Sequence, residues 1–131
     1  MIHKYKFVAV LLLSGFVILG LAAIQQPPGQ YKNLQILPQD ISAQKLDSIM
    51  HSYNVALGVN CKFCHVPMKD IPDSLDFALD TEPMKQQARK MMQMNIYINK
   101  TYFYFNKEER PEYLNTVNCN TCHRGEAFPE Q

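Results

Sequence analysis

The chain carries almost no net charge, +1 over 131 residues, which argues against a nucleic-acid partner or a polybasic membrane surface. Cysteine is equally sparse: all four residues lie in two short motifs, so none follows the N-terminal apolar run to accept a lipid. Only four histidines occur, two of them inside those same motifs and the others at His3 and His51. The acidic stretch from Asp70 to Glu82 has five carboxylates but no EF-hand spacing, and it reads as a solvated connection rather than a calcium loop. At this length there is room for one small domain.

What is present is Cys-x-x-Cys-His, twice, at Cys61, Cys64 and His65 and again at Cys119, Cys122 and His123. Two thiols on one turn can both add to the vinyl groups of one porphyrin, and the adjacent histidine then lies under the iron. Each copy is therefore the pattern of covalent haem c attachment, giving two haem c groups with iron and one axial position on each still to be supplied. A redox disulfide or half a zinc site gives the histidine no role. Redox motifs usually occur singly, and zinc ribbons usually separate their pairs by about 15 to 20 residues. Two macrocycles in so short a chain must themselves form much of the core.

Residues 7–24, FVAVLLLSGFVILGLAAI, are uncharged and follow Lys4 and Lys6, as in an export signal or membrane anchor (residues 1–24) with its N-terminus inside. Cleavage after Ala22 or Ala23 would leave the protein periplasmic. The length of the run favours a retained anchor at the periplasmic face of the membrane. Residues 25–32, which open QQPPGQ, read as a linker, and residues 33–131 as the haem domain.

Within that domain the expected fold is mainly α, built from two repeated helix-turn-CxxCH units. Ile41, Leu46, Ile49, Met50, Tyr53, Ala56 and Leu57 recur at helical spacing, with Ser42 as N-cap and Gly58 as stop. A second helix starts at the Asp80-Thr81-Glu82-Pro83 signal and runs to about Phe105. Its expected apolar face holds Met84, Ala88, Met91, Met92, Ile96, Ile98, Tyr102 and Phe103. Residues 106–118 form a loop or a loop with one helical turn.

Histidine scarcity excludes bis-histidine ligation of both haems. His51 points about 100° away from Met50 around the helix and falls among polar neighbours, so it reads as surface. Met50 is the candidate sixth ligand of the first haem. For the second, Met91, Met92 and Met94 are candidates that pattern alone does not separate. Arg124 is placed to pair with a haem propionate. The run Tyr102 to Phe105 reads as haem packing. Two six-coordinate His/Met irons make an electron carrier rather than an enzyme, passing single electrons between redox partner proteins. The alternative is a haem-based peroxidase or gas sensor with one dissociable methionine, which no obvious distal acid-base pair supports.

At these residues the chain resembles the cytochrome subunit of photosynthetic reaction centres, a multihaem family whose unit is a helix, a turn and Cys-x-x-Cys-His. The resemblance lies in SIMHSYNVALGVNCKFCH (residues 48–65), ARKMMQMNIYIN (residues 88–99) and VNCNTCHRG (residues 117–125). It implies that the methionine ligands fall on Met50 and on Met91, two residues after Arg89, and this sets Met91 above Met92 and Met94. The family's subunits hold four haems where this chain has two motifs, and one family haem uses a histidine that has no counterpart between His65 and His123. The resemblance therefore implies haem and electron transfer in a short dihaem relative, without implying photosynthesis.

Overall fold

The computed structural model describes residues 31–130. The apolar segment 7–24, the expected anchor, lies outside the described residues. Among these residues no helix is long and apolar enough to cross a membrane.

Helix α1 spans Ala43–Leu57. It begins where Ser42, in extended geometry, accepts a hydrogen bond from the Lys45 amide at 3.2 Å, satisfying one of the orphan donors of the first turn. It ends at Gly58, whose left-handed φ of 63° turns the chain out. The Gly58 amide then reaches Val55 O at 3.3 Å and the Val59 amide reaches Asn54 O at 3.1 Å. This paired closure is the Schellman arrangement, and its left-handed residue favours glycine.

A turn of 3₁₀ helix over Cys61–Phe63 follows, and then a short antiparallel hairpin of β1, Val66–Pro67, and β2, Leu75–Asp76. Its register pairs Val66 with Asp76 and Pro67 with Leu75, and the Met68 amide continues it to Ser74 O at 2.9 Å. Proline is tolerated because a two-stranded ribbon leaves one edge unpaired. The hairpin was not anticipated, and it departs from a purely helical repeat: the first motif is followed by strands and the second is not.

Helix α2 spans Pro83–Tyr102. Pro83 occupies the first turn, where its missing N–H costs nothing. The helix stops about a turn short of Phe105, and Phe103 closes it through a bond from its amide to Asn99 O at 2.9 Å. A 3₁₀ turn at Pro111–Tyr113 packs on α2. Helix α3 is the second motif itself, Cys119–His123.

The fully buried apolar set is small: among the described residues it is Leu37, Ile41 and Ala56. Two buried side chains hold the fold together in place of further apolar ones, Lys85 and Asn99. Of the apolar stripe expected on α2, Met84, Ala88, Met92, Ile96, Ile98 and Phe103 are half-buried and Met91 and Tyr102 exposed, and the inward face adds two buried polar residues. Lys85, Met92, Ile96, Asn99 and Phe103 are buried or half-buried, whereas Met91, Met94, Tyr97 and Tyr102 are exposed. The reason is that α2 braces loops rather than another helix, and the backbone groups of loops need polar partners.

Candidate haem-attachment site

Both motifs open in the same way. Val59-Asn60 precedes the first and Val117-Asn118 the second. Each asparagine is extended, at φ −114° and −139°, and its side chain accepts from a backbone amide of the turn it starts, that of Lys62 at 3.0 Å or of Thr121 at 3.2 Å. At the second motif Thr121 Oγ1 also accepts from the Asn118 amide at 3.1 Å, which completes a capping box. These caps curl each Cys-x-x-Cys into a single turn. All four thiols are free; Cys61 and Cys122 are exposed, Cys64 and Cys119 half-buried. Burial pushes the Cys64 thiol up, with Glu82 adding to it, and burial does the same at Cys119. Redox-active pairs instead depress a thiol's pKa. Among the described residues no three His, Cys, Asp or Glu side chains converge as a metal cluster.

The two histidines differ in their support. His123 Nδ1 lies 2.9 Å from Glu126 O. A carbonyl can only accept, so Nδ1 carries a proton, and Nε2 is left as the ring nitrogen that would face a metal. His65 is held by packing: Phe77 meets it edge-on at 5.0 Å between ring centroids and 71°. Its Nδ1 is buried without a hydrogen-bond partner. Burial first, then the cations Lys85 and Arg89, hold its pKa below the ordinary histidine value, which keeps the ring neutral, again as ligation requires.

Those two cations belong to α2 and organise the connection over the first motif. Lys85 Nζ donates to Phe77 O at 3.0 Å and Leu79 O at 2.7 Å, and pairs with Asp80 at 2.9 Å. Arg89 donates to Asp80 at 2.7 Å and to Asn33 O at 3.2 Å. Asn33 donates to Asp80 at 2.8 Å and also to Ala78 O. Three donors on one ammonium thus meet three acceptors, which is what allows a lysine to be buried. The acidic connection is accordingly used: Asp76 caps the amides of Ala78 and Leu79, both at 2.9 Å, and Asp80 anchors the ion pairs.

At its other end α2 holds the second motif. Asn99 and Asn95, one turn apart, both donate to Val117 O, at 2.7 and 2.8 Å. Meanwhile Asn99 Oδ1 accepts from the Val117 amide at 2.9 Å. Reading the apolar periodicity alone passes over these asparagines, although their spacing of four residues was available.

The motifs also meet through α1. Helix α1 packs on α3, and the Gly125 amide donates to Ala56 O at 2.9 Å. A Cβ on Gly58 would lie 2.0 Å from Gly125 O, so glycine is required there for close approach as well as for φ. Phe63, inside the first motif, meets Phe128, beyond the second, edge-on at 6.2 Å. Burial pushes the Tyr53 phenol up, with Cys119 adding to it.

Of the proposed sulfur ligands, Met50 is half-buried on α1 while its neighbour His51 is exposed. Met91 and Met94 are 39% and 49% exposed on the open side of α2, whereas Met92 is half-buried beside Ile96 and Asn99 on the braced side. Arg124 is exposed, with φ 51° at the end of α3. Tyr102 and Phe105 are exposed and Phe103 half-buried, so the aromatic run is not packed as one unit.

Two capped Cys-x-x-Cys-His turns, one with Phe77 against its histidine and the other with its histidine bonded to Glu126 O, are the pattern of a c-type cytochrome. The family model of the photosynthetic reaction centre cytochrome C subunit matches residues 22–131, and the chain belongs to that family, whose members bind haem c covalently and transfer electrons through it. The chain is also 33% identical over 105 residues to cytochrome c-554 of Chloroflexus aurantiacus, across 79% of this chain and 22% of that protein. It thus spans about a fifth of the length of that relative. No solved structure matches the chain.

Proposed function

We propose that the chain is an exported dihaem cytochrome that carries single electrons between redox proteins, held to the periplasmic face of the membrane by residues 7–24. Cys61 and Cys64 attach one haem and Cys119 and Cys122 the other, with His65 and Met50 on the first iron and His123 and Met91 on the second. The observation that carries this reading is the His123 ring, whose Nδ1 is committed to Glu126 O and whose Nε2 is therefore free to ligate. Met91 is favoured over Met92 because Met92 lies on the side of α2 already packed against protein, and over Met94 by the family pattern.

When bound, haem supplies a one-electron Fe(III)/Fe(II) couple. The chain does the rest. His65 with Met50 and His123 with Met91 would hold the two irons and leave no place on them for substrate, and a thioether would raise the potential relative to a second imidazole. Phe77 packs edge-on against the His65 ring. Lys85 and Arg89 place positive charge near the first motif, which favours the neutral ligand.

Mass measurement of the purified full chain should give two covalent haems. Ferric and ferrous spectra should be low-spin and unmoved by carbon monoxide. Met50→Ala and Met91→Ala should each make one haem high-spin and reactive with carbon monoxide. Absence of haem overturns the proposal, and a carbon monoxide shift in the unaltered protein identifies the peroxidase or gas-sensor alternative. No effect at Met91 transfers the ligand to Met94 or Met92.

A further inference from the structure

Asn99 is the one fully buried side chain of its size among the described residues, at 0% exposure. Its carboxamide is saturated: Oδ1 accepts from the Val117 amide at 2.9 Å, and Nδ2 donates to Val117 O at 2.7 Å and Asn95 O at 3.1 Å. A side chain that grips both the amide and the carbonyl of one residue fixes that residue's position and orientation together. Asn95 adds a second donor to Val117 O at 2.8 Å.

The gripped residue is the one before Asn118, which caps α3 through its box with Thr121. Between Val117 and His123 lie the clamp, the cap, one helical turn, and the His123 bond to Glu126 O. Met91 stands two turns before Asn99 on the same rigid helix. We infer that Asn99 is a positioning residue for the second haem, setting the separation between α2, which carries the methionine ligand, and His123. The inference rests on the proposed His/Met ligation of that iron. A weakened clamp lets α3 drift from α2, and the element of the ring Met91, α2, Val117, α3 and His123 that yields is the thioether bond to iron. A purely architectural asparagine would destabilise the protein without singling out one haem.

The test uses the full haem-loaded chain and the variants Asn99→Asp and Asn95→Ala. Asparagine to aspartate keeps the shape but turns a donor into an acceptor facing two carbonyl oxygens, unless the introduced carboxyl is protonated. Asn99→Asp should therefore raise the carbon-monoxide-binding fraction of the second haem about tenfold at neutral pH, the loss expected for about one hydrogen bond's worth of clamping. The effect should recede as the pH is lowered through the titration of the introduced group. Asn95→Ala should give a smaller change of the same kind. The methionine methyl resonance of the first haem, assigned by its loss in Met50→Ala, should stay in place while that of the second broadens or disappears. Val117 amide exchange should accelerate in both variants. Where Asn99→Asp does not fold, Asn95→Ala carries the test alone. The inference is overturned by faster Val117 exchange with both methionine resonances unmoved, by equal disturbance of both haems, or by no change in carbon monoxide binding. An unaltered protein lacking two low-spin haems would instead overturn the proposed function on which it rests.

Discussion

Replacing Gly58 by alanine should weaken the joint between the two motifs more than any surface change of similar size. Two costs add. The residue stands at φ 63°, where an L-residue with a Cβ loses roughly 1–2 kcal/mol. The new Cβ would lie 2.0 Å from Gly125 O, so the Gly125 backbone must retreat and its bond to Ala56 O is broken or stretched. Ala56 is 4% exposed, and leaving its carbonyl unpaired costs roughly 1–2 kcal/mol more. The expected loss is about 2–4 kcal/mol, read as a drop in the guanidinium midpoint of the haem-loaded protein at unchanged slope. Gly58→Asn separates the two terms, since asparagine tolerates the left-handed region but carries the same Cβ. It should lose only the second term, about 1–2 kcal/mol and roughly half the loss of Gly58→Ala. An asparagine variant within about 0.5 kcal/mol of the unaltered protein would refute the steric argument and with it the tight crossing of the two chain segments.

Asp80→Asn should weaken the protein at neutral pH. Arg89 first, then Lys85 and Asn33, hold the Asp80 carboxyl well below the usual carboxylate range, so its contribution is complete above about pH 4 and fades as pH falls through the lowered value. Acid-unfolding curves of the two proteins should therefore converge toward low pH, and a constant gap would refute the ion-pair origin. Arg110→Ala breaks the exposed bidentate pair with Asp40 at 2.6 and 2.7 Å; the thermal midpoint should barely move, and less in high salt. Leu37→Ala empties part of the small apolar core and should cost about 2–4 kcal/mol by chemical unfolding, without displacing the haem spectrum.

Much of the helical layout could be read from residues with one strong local reason for their place. Ser42, Gly58 and Pro83 each solve a problem that exists only at a helix end, so α1 and the start of α2 were legible from composition and order. The CxxCH turns were equally legible, because the spacing of two thiols and an imidazole has few other uses. The hairpin was not: strands of two residues have no periodicity to detect, and their pairing depends on a turn that brings Ser74 back to Met68. The polar members of the inward face of α2 were missed for a related reason. Apolar counting finds the side of a helix that meets other apolar side chains, but Lys85, Asn95 and Asn99 meet backbone, and a buried polar residue is visible only once its partners are known. Pattern does not separate Met91, Met92 and Met94 as candidate ligands of a second haem, and the family resemblance sets Met91 first; in the structure Met92 is half-buried while Met91 and Met94 are exposed.

Helix α2 acts as a ruler between the two sites. Lys85, which holds the segment beside His65, and Asn99, which holds the segment before Cys119, are separated by fourteen residues, about 21 Å at the rise of an α-helix. That interval is close to a whole number of turns, so both grips leave the helix on nearly the same side. Length and phase are locked together: one residue inserted between them would lengthen the rod by about 1.5 Å but rotate one grip by about 100° relative to the other. The joint is thus intolerant of any change in the length of α2 between these two grips. The separation of these two grips along α2 is written into residue count.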